Sequence, residues 1–525
     1  MTLFKSWQIF AAIAITITVT SCTQNQNLRI TPKANSDRPN IIYILADDLG
    51  YGDVTCINSA SKIKTPNMDA LAKGGMIFTD AHANSAVCSP TRYGVLTGRY
   101  AWRTRLQRGV LWGYSMPLIT KNRMTVASLL KNNGYNTGVV GKWHLGLEWS
   151  RTDNTIPNDN PTYEGNNIAI TKRILSTPND VGFDYFFGIP ASLDMYPYVY
   201  INNDHVTATK INTTTGSTGQ AYWRKGRIGN DLEHIDVLGT LTKKAVDYID
   251  KQDAAKPFFL YFPLPAPHKP IIPHDRFQNK SGINPWADFV MQVDWTIGQI
   301  VDAVTKQGFA ENTLIIVTSD NGATPGADFK LLAQHGHHPS GPLRGSKADI
   351  FEGGHRVPFI AHWPKVIDAG SKTYATICLT DLIATVADIT NAELPDTAGE
   401  DSVTLLPYMN GTSNGILREA TVHHSMNGSF SIRQGKWKLI LCPDSGGWSE
   451  PHPNKKRSKP LPPIQLYNLE TDLGETTNIH AQYPGVVKQL TILLESYVTN
   501  GRSTPGIPQP NDVTVTIVKQ SKKQL

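Results

Sequence analysis

Four continuous apolar runs in this chain each stop at residue types that carry charge or ligate ions. "NIIYILADDLGYGD" ends at Asp47 and Asp48, and "YNTGVVGKWHLG" runs into Lys142 and His144. "PFFLYFPLPAPHKP" ends at His268 after a proline-rich turn, and "NTLIIVTSDNG" ends at Asp320 and Asn321. Runs that are apolar throughout predict strands buried on both faces of a parallel sheet. Helical patterns lie between them, around residues 69–73, 126–132 and 294–306. Alternating elements of this kind predict an α/β fold with helices on both faces of the sheet. In such folds ligands gather at the carboxyl ends of the strands, where all of these residues fall.

At 525 residues the chain is too long for one ordinary domain. Its pattern changes after about Pro407, where "FSIRQGKWKLILC" alternates and then turns apolar. "IQLYNLETDLGETTN" follows a proline-rich loop whose "NKKRSK" is a solvated basic stretch or a polyanion contact. The expectation is a large domain over residues 38–410 and a smaller α+β domain over 411–525. The smaller one would carry an antiparallel sheet and a terminal helix near 486–497. At the other end, Lys5 and the apolar run 9–19 have the form of an export signal, too short to span a bilayer. Val19, Thr20, Ser21 and Cys22 resemble a bacterial lipoprotein box, so residues 1–22 are expected to be a signal, Cys22 a lipidation site and 23–37 a tether. That predicts an exported protein, lipid-anchored at the outer membrane or cell surface; an ordinary cleaved signal and a periplasmic location are the alternative. With Cys22 and Cys88 set aside, Cys56, Cys378 and Cys442 allow at most one disulfide, so no disulfide framework is expected. A net charge of +6 fits an anionic substrate and not a nucleic-acid partner.

The two acidic pairs, Asp47-Asp48 and Asp320-Asn321, are hard oxygen donors at two strand ends. Brought to one site they would repel unless a cation held them, and hard oxygens suit Ca²⁺ or Mg²⁺. The plainer alternative is a helix cap and a closed turn. Lys142 and His144 flank Trp143, and in an extended segment they would project to one side. With His268, and with Lys347 in "LRGSKADIFEGGHRVP", they would converge on a pocket suited to a tetrahedral oxyanion such as phosphate or sulfate.

These motifs, with "AVCSPTRYGVLTGRY", resemble the type I sulfatases, formylglycine-dependent members of the alkaline phosphatase superfamily. "CSPTRYGVLTGR" is similar to the family's C-x-P-x-R signature with its L-T-G-R extension. "ADDLGYGD", "GKWHLG", "SDNG" and "GSKADIFEGGHRVP" follow in the family's order, from about Arg38 through "LYNLETDLGETTN". The resemblance implies a large, mostly parallel sheet between helices. It implies that a maturation enzyme reads Pro90 and Arg92 and oxidises Cys88 to formylglycine, whose hydrate is the nucleophile. One Ca²⁺ would be held by Asp47, Asp48, Asp320, Asn321 and the residue at 88. Asp320 would take the diol proton; Arg92, Lys142 and Lys347 would steady the sulfuryl oxygens. His268 would protonate the leaving sugar oxygen, and His144 would drive collapse of the sulfated hemiacetal. A thiolate mechanism at Cys88 does not fit, because cysteine phosphatases set their arginine one residue further on.

The implied activity is hydrolysis of sulfate esters on a sulfated polysaccharide or its oligosaccharides. "GRYAWRTRLQRGVLWGY" is similar to environmental bacterial sulfatases, which favours algal glycans such as ulvan or carrageenan. A host glycosaminoglycan or mucin, a phosphonate or phosphate ester, and a non-catalytic glycan-binding lipoprotein are the alternatives. His335, His337 and His338 precede Lys347 in a loop expected to border the pocket, where they would read sugar hydroxyls or simply be solvated. Arg103 and Arg105, after the helix that follows Cys88, are further substrate-binding candidates.

Overall fold

The apolar runs become the centre of a ten-stranded sheet. The structure is a computed structural model that describes residues 38–518 except 158, 160, 161, 454 and 456–459; the signal, Cys22 and the tether, and most of "NKKRSK", lie outside the described residues. In chain order the strands are β1 (Asn40–Asp47), β2 (Met76–His82), β3 (Asn136–Lys142), β4 (Tyr185–Ile189), β5 (Ile201–Asn202) and β6 (His205–Val206). A separate hairpin, β7 (Ile211–Thr214) and β8 (Gly226–Gly229), precedes β9 (Phe258–Pro267), β10 (Thr313–Ser319), β11 (Phe359–His362) and β12 (Ser371–Cys378). The large sheet has the order β12-β2-β11-β10-β1-β9-β3-β4-β5-β6. Its central strands β10, β1, β9, β3 and β4 are mutually parallel, while β11 and the short β5 run against them and β6 turns back antiparallel to β5.

Alternation along β1 shows how the layers form. Ile41, Tyr43 and Leu45 join one core with the helices Cys88–Thr97, Val126–Asn132 and Leu382–Thr390. Ile42, Ile44 and Ala46 join a second core with Pro66–Lys73, Val237–Asp250 and Pro285–Lys306. Successive side chains point to opposite faces, so a strand with no polar residue inside must have a helix layer on each side. The helix expected from residue 294 begins at Pro285, where the Asn284 side chain accepts from Ala287 N and proline occupies the first turn.

The smaller antiparallel sheet contains β13 (Thr421–His424), β14 (Phe430–Gln434), β15 (Trp437–Ile440) and β16 (Gln465–Asn468). Helix Pro484–Thr499 buries Leu490, Leu494 and Tyr497 in a cluster with Ile432, Leu439, Tyr100 and Trp102, so this sheet shares a core with the segment that follows the Cys88 helix. No disulfide joins the described cysteines.

Between the two sheets lies a buried polar cluster. His82 Nε2 meets Asp80 at 3.0 Å, and its Nδ1 lies 3.0 Å from that of His355. The His355 and His423 rings stack at 3.9 Å. Lys438 donates to Glu352 and contacts Glu475, both at short range, while Arg356 and Arg433 close on Asp80. Burial holds all three imidazoles below their ordinary pKa, helped by His423 and Lys438 at His355 and by His82 and Lys438 at His423. The unfolded chain therefore takes protons first, and this contribution, full above about pH 6.5, is lost as the pH falls toward the depressed folded values. Each ring kept neutral withdraws up to ~1.4 kcal/mol per pH unit in that window. Glu475, pushed up by burial, works in the opposite sense, so a comparison of variants isolates the rings. His423→Asn keeps a donor for the Ala83 carbonyl. Chemical denaturation between pH 7.5 and 5 is expected to show H423N losing less stability than wild type. Equal losses would mean that His423 is not held neutral.

Candidate active site

Four adjacent strands deliver the site. In the order β10-β1-β9-β3, Asp320 and Asn321 follow β10, Asp47 ends β1, His268 follows β9 and Lys142 ends β3. Parallel pairing brings these ends level, with Ala46 opposite Ser319 and Asp47 opposite Pro267. The helix Cys88–Thr97 adds Cys88 and, one turn on, Arg92. Lys347 arrives on the loop before Glu352–His355, its amide donating to the Ala323 carbonyl. Asp48, His144 and Ala348 all have positive φ (71°, 56° and 79°), a strained conformation held in place by the surrounding packing. His144 is therefore not in an extended segment with Lys142: the chain turns sharply after β3. Gly322 is required where it stands, since a Cβ there would lie 1.8 Å from the Gly353 carbonyl oxygen.

The charges are paired and buried. Lys142 Nζ donates to Asp47 Oδ2 at 2.6 Å, and Arg92 Nε and Nη2 donate to Asp320 Oδ2 at 3.0 and 2.7 Å. Lys347 Nζ reaches Asp48 Oδ1 at 2.6 Å, and Asn321 Nδ2 donates to the same oxygen at 2.7 Å. His268 Nε2 lies 3.8 Å from Asp48 Oδ2, while its Nδ1 bonds the Lys269 carbonyl at 2.7 Å. Burial alone would raise Asp47, but Lys142, with His268, Arg92 and Lys347, holds its carboxyl well below the usual range. Burial and the neighbouring Asp47 push Asp320 up, against Arg92 and Lys142. Burial raises the Cys88 thiol, so an unmodified cysteine here stays protonated at neutral pH.

Within this charged cluster, three buried polar atoms have no hydrogen-bond partner: Asp47 Oδ1, Asn321 Oδ1 and His144 Nδ1. Native folds rarely leave such atoms unsatisfied. Two hard oxygens beside the carboxylates of Asp48 and Asp320 fit a divalent hard cation; the ligand atoms of Asp47, Asp48 and His268 also lie within 4.8 Å of one another. At His144, Nε2 lies 2.8 Å from the Leu111 carbonyl, which can only accept. The proton therefore sits on Nε2, and Nδ1 is left as a base. Burial, Lys142 and Arg92 keep this ring neutral.

A cavity of about 240 Å³ opens beside these groups, lined by Asp48, Asp194, His268, Lys269, Thr324, Pro325, Gly326, Lys347 and Trp448. Asp194, Lys269, Thr324 and Trp448 were not among the sequence expectations. Lys269 directly follows His268 and Thr324 lies two residues past "SDNG", whereas Asp194 and Trp448 come from loops with no chemical signature. Two expected substrate contacts are corrected. Arg103 is fully buried, with Nε and Nη2 on Asp401 at 2.9 and 2.8 Å and its guanidinium 4.3 Å over Trp102. It also donates to the Tyr497 carbonyl and so fastens the terminal helix. His337 is fully buried between Asp53 Oδ1 at 2.8 Å and the Lys62 amide at 3.2 Å, too deep to read a sugar. His335 and His338 are exposed and do not line this cavity. Arg105 is exposed and paired with Asp159.

Buried carboxylates interleaved with three cations, beside a base and a second histidine, define a hydrolase site for an oxyanion ester. A family model described as Sulfatase matches residues 39–392. The chain is 34% identical to an N-acetylgalactosamine-6-O-sulfatase of Bacteroides thetaiotaomicron, over 92% of this chain and 97% of that protein. A solved structure described for glycosaminoglycan metabolism by Bacteroides thetaiotaomicron is 33% identical, with a TM-score of 0.76 over 88% of this chain and 99% of its own. The structure of Ps i-CgsB with k-i-k-neocarrahexaose is 25% identical, with a TM-score of 0.66 over 90% and 95% of the two chains. The chain belongs to the sulfatase family, with its alkaline phosphatase-like fold, and is a sulfuric ester hydrolase.

His144→Ala removes the unpartnered Nδ1 of His144 while leaving the paired charges in place. Turnover of 4-nitrophenyl sulfate is expected to fall by roughly 10²-fold or more. Turnover within about threefold of wild type would rule out a proton-transfer role.

Proposed function

We propose that this sulfatase removes sulfate from a galactose-type or N-acetylgalactosamine-type sugar of a sulfated glycan, using formylglycine made from Cys88 and one Ca²⁺ ion. The sugar class is supported by the names of two relatives, one an N-acetylgalactosamine-6-O-sulfatase and one bound to a carrageenan oligosaccharide. It joins the carrageenan expectation to the glycosaminoglycan alternative and favours both over ulvan. The observation that carries the mechanism is the set of unpartnered buried atoms around Cys88, namely Asp47 Oδ1, Asn321 Oδ1 and His144 Nδ1.

Asp47, Asp48, Asp320 and Asn321 would hold the ion, which supplies Lewis-acid stabilisation of charge on sulfate oxygens. Formylglycine supplies, when hydrated, one hydroxyl to attack sulfur and a second whose deprotonation releases the product. The residues divide the remaining work. Lys142, Lys347 and Arg92 counter the charge on the transferring group. Asp320, held by Arg92, accepts the nucleophile's proton. His268 donates from Nε2 to the leaving sugar oxygen, its Nδ1 proton fixed on the Lys269 carbonyl. Burial and Lys347 lower the His268 pKa in the free enzyme, and the sulfate's negative charge acts in the opposite sense. His144 Nδ1 takes the second proton. An exported, lipid-anchored location through Cys22, with a maturation enzyme acting at Cys88, completes the proposal from sequence alone.

Three measurements test it. Protein from the native host is expected to yield a tryptic peptide spanning Cys88 that is roughly 18 mass units lighter than the cysteine form; an intact thiol in fully active protein would overturn the nucleophile. Chelation is expected to remove activity, with Ca²⁺ restoring it better than Zn²⁺. Faster turnover of an aryl phosphonate than of any sulfate ester would replace this function with the phosphonate alternative.

A further inference from the structure

Asp194 follows β4 and is 8% exposed, yet it lines the cavity with His268 and Lys347. One of its oxygens is fixed: Arg224 Nη1 donates to Oδ2 at 2.6 Å and to the Asp194 carbonyl at 2.8 Å. The guanidinium is itself held over Trp112 and Tyr222, at 5.0 and 5.3 Å from the ring centroids. The other oxygen, Oδ1, is buried with no hydrogen-bond partner. Trp448, 45% exposed, lines the same cavity on a loop that is anchored beside Lys347. Its amide and that of Ser449 donate to Asp349 Oδ1 at 2.7 and 2.9 Å, and Gly447 packs so closely on Ala348 that a Cβ would meet its backbone at 2.4 Å.

We propose that Asp194 is a specificity residue, accepting a hydroxyl of the sulfated sugar while the Trp448 indole packs on the ring. This deepens the sulfated-glycan function proposed above and rests on it. Lys347 and Lys269 line the cavity and suit the sulfate, whereas the Asp194 carboxylate, with an unpaired acceptor, suits a neutral hydroxyl donor. A uronate or a second sulfate at that position would be repelled, and a sugar lacking the hydroxyl would leave Oδ1 unpaired. An aryl sulfate offers no such hydroxyl, so it reports on the chemistry without the contact.

The test measures kcat/KM for a monosulfated galactose or N-acetylgalactosamine saccharide and for 4-nitrophenyl sulfate, in wild type and Asp194→Asn. The asparagine keeps an acceptor for Arg224 and turns the open acceptor into a donor. The saccharide-to-aryl ratio of kcat/KM is expected to fall at least ~10-fold. A ratio within twofold of wild type overturns the role of Asp194 and leaves the sulfatase function standing. A wild-type enzyme active on neither ester overturns the proposed function and this inference with it. Asp194→Ser, read by the same ratio, serves if D194N does not fold.

Discussion

Asp47, Asp48 and Asp320 share one buried site with Arg92, Lys142 and Lys347, and the cost of taking those charges out of water constrains everything around them. Breaking a buried ion pair by removing one partner typically costs about 3–5 kcal/mol, because the survivor stays buried and uncompensated. The fold meets that constraint by geometry. Parallel strands end at one level, so acids from β1 and β10 and the lysine from β3 arrive within ion-pair reach without any long loop. Cations that lie on helices and loops instead, Arg92 and Lys347, come in on segments that are themselves fully packed. The strained backbone at Asp48, His144 and Ala348 is the local cost of aiming three adjacent segments at one point.

Much of this was legible in the sequence for a simple reason. Strands buried on both faces carry a one-dimensional signal, an apolar run, and the chemistry begins at the residue where the run stops. The runs ending at Asp47, Lys142, His268 and Asp320 thus gave both the central sheet and most of the charged cluster. What failed depended on whether a polar side chain faces a ligand or another part of the chain. Arg103 and His337 belong to plausible motifs, but Asp401 and Asp53, their partners, are remote in sequence, and no local pattern announces them. Asp194 and Trp448 failed in the other direction. Their loops lack periodicity, and only the packing of Arg224 and Asp349 brings them to the cavity.

The smaller sheet is more than an appendage. Its helix is fastened through Arg103 to the segment following the Cys88 helix, its β13 to β15 strands contribute to the buried histidine cluster, and its Trp448 loop borders the cavity. The large sheet supplies the buried charged groups, while loops from both sheets supply the walls of the cavity. Such a division lets the walls vary without disturbing the buried charges, which fits the spread of substrates named for relatives of similar fold.

Every residue of the helix Cys88–Thr97 is buried, Cys88 itself to within 2% of its surface. The side chain at 88 and the Pro90 and Arg92 that accompany it are inaccessible once the large sheet has closed over them. Any enzyme that alters Cys88 must therefore act on the chain before this helix is packed. If formylglycine forms at 88 as proposed, maturation and folding would compete in time, and a chain that folded first would lack the proposed nucleophile. The same packing that shields residue 88 from solvent would then set the order of events, modification before folding.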